Sequence, residues 1–390
     1  MVDLTEFESI SPYTDAEAAE ALHKLADYPL VPKVSKYFFK DQEADFLSKV
    51  LKSINTIDEF QSVVMSRFVD SVLKNSAKSF SYDGLENIDR NRKFLGMSNH
   101  RDIILDPALT QLVLFKNDIP LTEIAVGSNL ITNEWVEYLI RSNRMIKVMR
   151  GITARELYLS SQLLSRYIRL NITEGRSSIW LAQRQGRTKN GLDVTEQGLL
   201  KMLNMSGPAD FQQNFEELNI IPMSISYEIE PCDILKAREL VISRKQKYVK
   251  GKDEDWNSII TGIIQPKGNI HLSIGKPLTS EEIEAASKCD KNDRYQLIRH
   301  AVDRRIIAGY KLWKYNYVAY DLVNHSFKYT EHYTPDDVAW FVEYMTKQLD
   351  TVEKEVNRAD LRETFLNIYA NPVLAKELLA KELSTGSILF

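Results

Sequence analysis

Phe94-Leu95-Gly96-Met97-Ser98-Asn99-His100 runs without a break into Arg101-Asp102-Ile103-Ile104-Leu105-Asp106-Pro107. The first part is a short apolar run that ends in polar residues. The second opens a helical period, with a proline near its start where a missing N–H costs little. A strand that feeds a helix in this way is the repeating unit of an α/β sheet, and such sheets present reactive groups at the carboxyl ends of their strands. His100 therefore stands at a mouth, with Asp102 and Asp106 within one or two helical turns.

Outward from this stretch, short apolar or β-branched runs predict strands at 94–98, 123–126, 145–149, 179–182, 220–226 and 270–274. Helical periods separate them at 107–115, 133–141, 153–169, 195–204 and 231–245. This alternation predicts an α/β fold: a mixed, largely parallel sheet covered by helices. Before it, Phe46, Leu47, Val50, Leu51 and Ile54 recur at helical spacing, as do Phe60, Val63, Val64, Phe68, Val69, Val72 and Leu73. After it, Thr279 and Glu282 form a possible capping box, and Thr334-Pro335 opens another helix. The predicted units are an N-terminal helical module (1–82), an α/β domain (83–280) and a C-terminal helical extension (281–390).

With 390 residues, 44% hydrophobic and 27% charged, the chain has ample material for a large core and does not resemble a disordered or low-complexity sequence. Cys232 and Cys289 form no C-x-x-C pair, which argues against a disulfide framework or a thiolate zinc site and fits a reduced, cytoplasmic setting. The six histidines do not cluster, so no metal is expected. The first residues lack a basic start followed by an apolar stretch, and thus do not read as a secretory signal. The most apolar stretches, such as 108–115 and 259–264, are too short to span a membrane and read as core segments. Peripheral contact with a membrane stays open.

The formal charge of -4 hides an asymmetry. Between Arg141 and Lys189 eleven bases face two acids, giving that segment +9 and the remainder -13. Such a segment favours an anionic ligand, a phospholipid surface or nucleic acid, and its bland alternative is a solvated helix face. Within it, Ile179-Trp180-Leu181-Ala182-Gln183-Arg184-Gln185-Gly186-Arg187-Thr188-Lys189-Asn190-Gly191 is an apolar run that opens into a basic glycine loop. Guanidinium groups and free backbone amides in such a loop can hold a phosphate.

Other chemistries find no support. Gly96-Met97-Ser98-Asn99-His100 has histidine where a nucleophile elbow needs its second glycine, and neither a Walker A loop nor a G-x-G-x-x-G fingerprint is present. A histidine beside a carboxylate, by contrast, can take a proton from a hydroxyl.

Taken in order, these segments resemble the glycerophospholipid acyltransferase family, meaning the glycerol-3-phosphate and 1-acylglycerol-3-phosphate acyltransferases. Asn99-His100 and an acid match the family's N-H-x4-D block, with five rather than four residues between His100 and Asp106. Met145-Ile146-Lys147-Val148-Met149-Arg150 is similar to its second block, and Gln185-Gly186-Arg187 to its E-G-T-R block. Ile221-Pro222-Met223-Ser224-Ile225-Ser226-Tyr227-Glu228 resembles the V-P-[IV] strand, and His271-Leu272-Ser273-Ile274-Gly275-Lys276-Pro277-Leu278 the closing strand and turn. The resemblance covers residues 94–278.

It implies direct acyl transfer. His100 would be the general base and Asp106 its partner, with Asp102 the competing candidate. Lys147, Arg150, Arg184, Gln185, Gly186, Arg187 and Lys189 would bind the acceptor's phosphate. The donor would be acyl-CoA or acyl carrier protein as co-substrate, with no cofactor. The acceptor would be glycerol 3-phosphate, its 1-acyl derivative or a lyso amino-acid lipid, met peripherally at the inner face of a membrane. The rival of a different class is a non-catalytic binder of anionic lipid or nucleic acid, indifferent to His100.

Overall fold

The computed structural model describes residues 5–207 and 210–386; the outermost ends of the first and last predicted units, 1–4 and 387–390, lie outside them. Seven strands form one sheet: β1 (Ala77–Asp83), β2 (Leu95–Ser98), β3 (Glu123–Gly127), β4 (Met145–Val148), β5 (Ile179–Ala182), β6 (Ile220–Tyr227) and β7 (Gly268–Ile274). Their order is β1-β7-β6-β2-β5-β3-β4. Only the β6–β7 pairing is antiparallel. The fold is α/β, a mixed and mostly parallel sheet with helices over it.

β2 and β6 are buried along their whole length, as strands covered on both faces must be, and this is why their residues are apolar or small and uncharged apart from the terminal Tyr227. From β2 the chain moves to one side for β3 and β4, returns as β5 beside β2, and crosses to the other side as β6. β2 is thus the switch point, where an open α/β sheet leaves its crevice. Pro222 is tolerated inside β6 because its carbonyl, on the same side of the strand as its missing N–H, accepts the amide of Gly275 at 2.8 Å just beyond the end of β7.

The sequence reading missed β1. Residues 77–82 fall in the predicted helical module and Asp83 just beyond it, but Ala77–Asp83 pairs in parallel with β7 from Gly268 to Ser273. As an edge strand carrying Lys78, Ser79, Ser81 and Asp83, it has neither an apolar run nor a clean alternation of burial. Upstream, Leu22, Leu25, Val31, Leu47, Leu51, Phe60 and Val64 form a separate apolar cluster. Downstream, the Thr279–Glu282 capping box is present, with Glu282 N donating to Thr279 Oγ1 at 3.3 Å and Thr279 N to Glu282 Oε2 at 2.9 Å. Pro372, in a stretch with no clear pattern, lies inside the long helix Arg358–Thr385. Among the described residues no helix is long and apolar enough to cross a membrane.

Candidate active site

The chain leaves β2 at Ser98, and Asn99 locks its end in place. The buried Asn99 side chain donates to Ile225 O at 3.0 Å and to Asp193 Oδ2 at 3.0 Å, and it accepts from Ile225 N at 2.8 Å. His100 follows, and its Nδ1 lies 3.0 Å from Asp106 Oδ2. The Asp106 side chain is fully buried, while 15% of the His100 side chain is exposed. A carboxylate only accepts, so the shared proton resides on Nδ1 and Nε2 is left with its lone pair. The face of the ring is fixed by Trp180, edge-on with centroids 6.2 Å apart.

Asp106 is itself over-determined. Its Oδ2 also accepts Arg101 N at 2.5 Å and Asp102 N at 2.8 Å, and its Oδ1 accepts the Tyr227 hydroxyl at 2.8 Å. Burial, and then the negative charge of Asp106, hold the Tyr227 hydroxyl well above its ordinary pKa, so it remains a donor. The extra residue in the spacer is absorbed in the 101–104 turn, which brings both of its first two amides onto Asp106. Asp102 does a different job: its Oδ1 caps the helix Leu105–Lys116 by accepting Ile104 N at 2.9 Å and Leu105 N at 2.8 Å. It is not the partner of His100.

The glycine loop after β5 lies against this turn. Gln183 N donates to Ser98 O at 2.8 Å and Thr188 N to His100 O at 2.7 Å. Gly186 has φ +70° and an open surrounding, whereas Gly191 at φ +80° abuts Ile368 O, where a Cβ would sit only 2.3 Å away. Arg184 Nε and Arg187 Nη1 are buried with no hydrogen-bond partner. Burial pushes the neighbouring Cys232 thiol up, and the Arg187 guanidinium against it works the other way. Arg150, at the end of β4, is half-buried; burial lowers its pKa, opposed by Glu196. Gln185 and Gly186 are exposed.

The remaining predicted phosphate ligands are engaged elsewhere. Lys147 Nζ pairs with Glu137 at 3.0 Å, and Lys189 pairs with Glu239. The same holds for much of the +9 segment: Arg141 meets Glu137, Arg144 Asp58, Arg166 Glu6 and Arg169 Glu217. The segment is therefore not one basic face. What it leaves at the mouth of the sheet is Arg150, Arg184 and Arg187.

One buried network escaped the sequence reading. Arg101 is completely buried, and donates to Asp193 Oδ2 at 2.6 Å, Gly191 O at 3.1 Å and Glu230 Oε2 at 3.4 Å, with its guanidinium over the Tyr310 ring. Lys236 Nζ bridges Glu230 Oε1 at 2.6 Å and Arg101 O at 2.7 Å. Farther along the loop, Thr195 Oγ1 donates to Asp303 Oδ1 at 2.5 Å, and burial raises the Asp303 carboxyl to about 7. These hydrogen-bond partners lie 90 to 135 residues from Arg101 in the chain, so no local spacing announces them. A charged residue directly after the histidine, at the end of a strand covered on both faces, was the available signal.

The geometry is that of a histidine base held by a buried carboxylate beside unpaired guanidinium nitrogens. A bovine (Bos taurus) dihydroxyacetone phosphate acyltransferase is 23% identical over 192 residues, 48% of this chain and 27% of that protein. The chain resembles the glycerophospholipid acyltransferases. It spans only about a quarter of this curated relative. The 1-acyl-sn-glycerophosphate acyltransferase of Thermotoga maritima aligns in three dimensions over 74% of this chain and 93% of its own, at 13% identity and a TM-score of 0.38. No protein-family model matches. Against the acyltransferase pattern, the spacer insertion is now accounted for by the 101–104 turn. The E-G-T-R glutamate is replaced by Gln185, whose backbone N–H is held by Glu196 Oε2 at 3.1 Å.

Proposed function

We propose that the protein transfers a fatty acyl group from a thioester, acyl-CoA or acyl carrier protein, to a hydroxyl of glycerol 3-phosphate or its 1-acyl derivative. The observation that carries this reading is the His100–Asp106 pair at the carboxyl end of β2, with the buried, unpartnered nitrogens of Arg184 and Arg187 in the adjoining loop.

His100 Nε2 removes the acceptor's hydroxyl proton as its oxygen attacks the thioester carbonyl. The new C–O bond forms, the C–S bond breaks, and the proton returns from the imidazolium to the departing thiolate. Asp106 fixes the tautomer and stabilises the imidazolium. Arg184, Arg187 and Arg150 hold the acceptor's phosphate, because forked guanidinium donors match its oxygens. Backbone amides around Gly186 are the candidates for steadying the oxyanion. The 1-acyl acceptor is an amphiphile and is met at a membrane surface, which on this reading is the cytoplasmic face.

The test is thioester consumption by the purified protein with each donor and a panel of glycerol 3-phosphate, lysophosphatidate and lyso amino-lipids, alongside His100→Ala. Turnover with one acceptor, lost in the variant, supports the reading. Turnover retained in His100→Ala would overturn the mechanism, and salt-sensitive anion binding without any turnover would favour the non-catalytic binder.

A further inference from the structure

The helix Glu254–Ile264 packs Ile263 against the core but also displays a second apolar stripe outward. Its buried residues are Ser258 and Gly262, four apart on one face. Its large apolar residues Trp256, Ile260 and Ile264 also recur every four residues, and they face outward at 45%, 39% and 52% exposure. A helix on a water-facing surface places such residues inward. The 259–264 stretch, which reads in the sequence as a core segment, is thus half displayed.

The segment leading into this helix is Arg244-Lys245-Gln246-Lys247-Tyr248-Val249-Lys250-Gly251-Lys252, five bases and no acid. All five bases are exposed, and Val249 at 81% stands among them. Among the described residues only Lys250 has a carboxylate within ion-pair distance, that of Asp255 at 2.5 Å. The apolar surface continues through rings. Trp256 meets Trp135 edge-on at 5.9 Å, and Trp135 meets Tyr28 at 5.3 Å. Beyond Tyr28, the exposed Leu30, Val34 and Tyr37 alternate with the exposed Lys33, Lys36 and Lys40.

We infer that this face, the 244–252 loop with the outer stripe of the 254–264 helix and the 30–40 segment beside it, docks on the surface of an anionic phospholipid bilayer. Charge selects the occupant. Apolar and aromatic side chains mixed with exposed bases match a layer of acyl chains beneath negative headgroups, and each basic residue near such a surface adds to binding. Position supports the same conclusion. Asn129 Nδ2, in the turn after β3, donates to Asp255 Oδ2 at 3.2 Å, and Gly262 lies so close to Asp102 that a Cβ there would sit 2.1 Å from Oδ2. The helix therefore rides on the same end of the sheet as His100. Only the consequence that docking delivers an amphiphilic acceptor to His100 rests on the acyltransferase reading; docking itself does not.

The experiment is flotation with vesicles of phosphatidylcholine alone or mixed with phosphatidylglycerol. The proteins compared are wild type, Trp256→Ser/Ile260→Ser/Ile264→Ser, Lys245→Glu/Lys247→Glu and His100→Ala, with circular dichroism confirming the fold of each. The expected result is flotation of wild type and His100→Ala with the phosphatidylglycerol vesicles, falling with salt, and a loss on the order of tenfold or more in each of the other two variants. Flotation of either surface variant at the wild-type level, or none by wild type, overturns the proposal. So does a wild-type dimer in size-exclusion chromatography that the serine variant abolishes, because the face would then be covered by a second copy. Failure of the catalytic reading would appear instead as vesicle binding without thioester consumption.

Discussion

Two histidines, one just past the end of β2 and one within β7, each have a carboxylate beside them, and the two carboxylates are held very differently. His100 and His271 lie at opposite levels of organisation. Asp106, the partner of His100, is fully buried and receives two backbone amides and a tyrosine hydroxyl in addition to the imidazole. His271, in β7, lies between Ser81 Oγ at 2.9 Å and Asp83 Oδ2 at 3.2 Å, so its side chain reproduces the roster of a serine-hydrolase triad. Yet 63% of the Asp83 side chain is exposed, and both Ser81 and Asp83 belong to the edge strand β1. What separates the two is preorganisation. A buried carboxylate with every acceptor direction occupied cannot turn away from its histidine, whereas an exposed one exchanges it for water at little cost. The first arrangement suits catalysis, and the second braces a sheet edge.

The sharpest way to break this comparison is to remove each ring. His100→Ala should lower turnover by about 100- to 10,000-fold, the contribution of a positioned general base, with the fold intact by circular dichroism. His271→Ala should leave turnover within about twofold and show its effect in the urea midpoint instead, by roughly 1 kcal/mol for the lost hydrogen bonds. Comparable losses of turnover in both would dissolve the distinction.

Neutralising the carboxylates probes the partners rather than the rings. Asp106→Asn offers His100 a group that can donate as well as accept, which allows the wrong tautomer, and kcat should fall by roughly 100-fold or more while KM for the thioester changes little. Asp83→Asn should change neither. Tyr227→Phe, which takes one donor from Asp106 and leaves its amides in place, falls between them at about tenfold in kcat, the scale of one hydrogen bond to a charged group.

A smaller effect is expected at Arg184 and Arg187, since the proposed phosphate ligands are several guanidiniums that would share the load. Arg187→Gln and Arg184→Gln should each raise KM for a phosphate-bearing acceptor by about 10-fold with kcat nearly unchanged, since a charge-assisted bond is worth about 1.5–3 kcal/mol. An acceptor alcohol without phosphate should be insensitive to both. Lys147→Gln and Lys189→Gln, which break ion pairs to Glu137 and Glu239, should leave KM where it was.

How far these regions could be read from the chain itself differs for the same physical reason. β2, β5 and β6 are legible because strands covered on both faces must be dominated by apolar and small uncharged residues, and the chain supplies Leu95–Ser98, Ile179–Ala182 and Ile220–Tyr227. β1 is not, because an edge strand is free to carry Ser79, Ser81 and Asp83. His100 and two candidate acids stand within two helical turns, so the neighbourhood was legible, but the choice of Asp106 over Asp102 depends on the path of the 101–104 turn. The basic segment misled for the converse reason. Its charges are local in sequence, whereas the acids that answer Arg144, Arg166, Arg169 and Lys189 come from Asp58, Glu6, Glu217 and Glu239. Arg101 is the extreme case, with every hydrogen-bond partner of its side chain supplied by tertiary structure.

The smallest effect concerns protons rather than turnover, and it isolates the bracing role of His271. Burial lowers the pKa of His271 below its ordinary 6.5, with Asp83 opposing and Lys311 reinforcing the shift. The folded protein thus binds that proton less readily than the unfolded chain. Stability from this group is fully present above pH ~6.5 and is lost as the pH falls toward and through the lowered value. His271→Gln keeps a side chain able to hydrogen-bond but removes the titration. Urea midpoints measured from pH 8 down to 5 should therefore fall more steeply for wild type than for the variant, with the two curves closest at the acid end. If the curves instead run parallel across the whole range, His271 is not held neutral by its burial. The contrast with the preorganised His100 would then rest on the exposure of Asp83 alone.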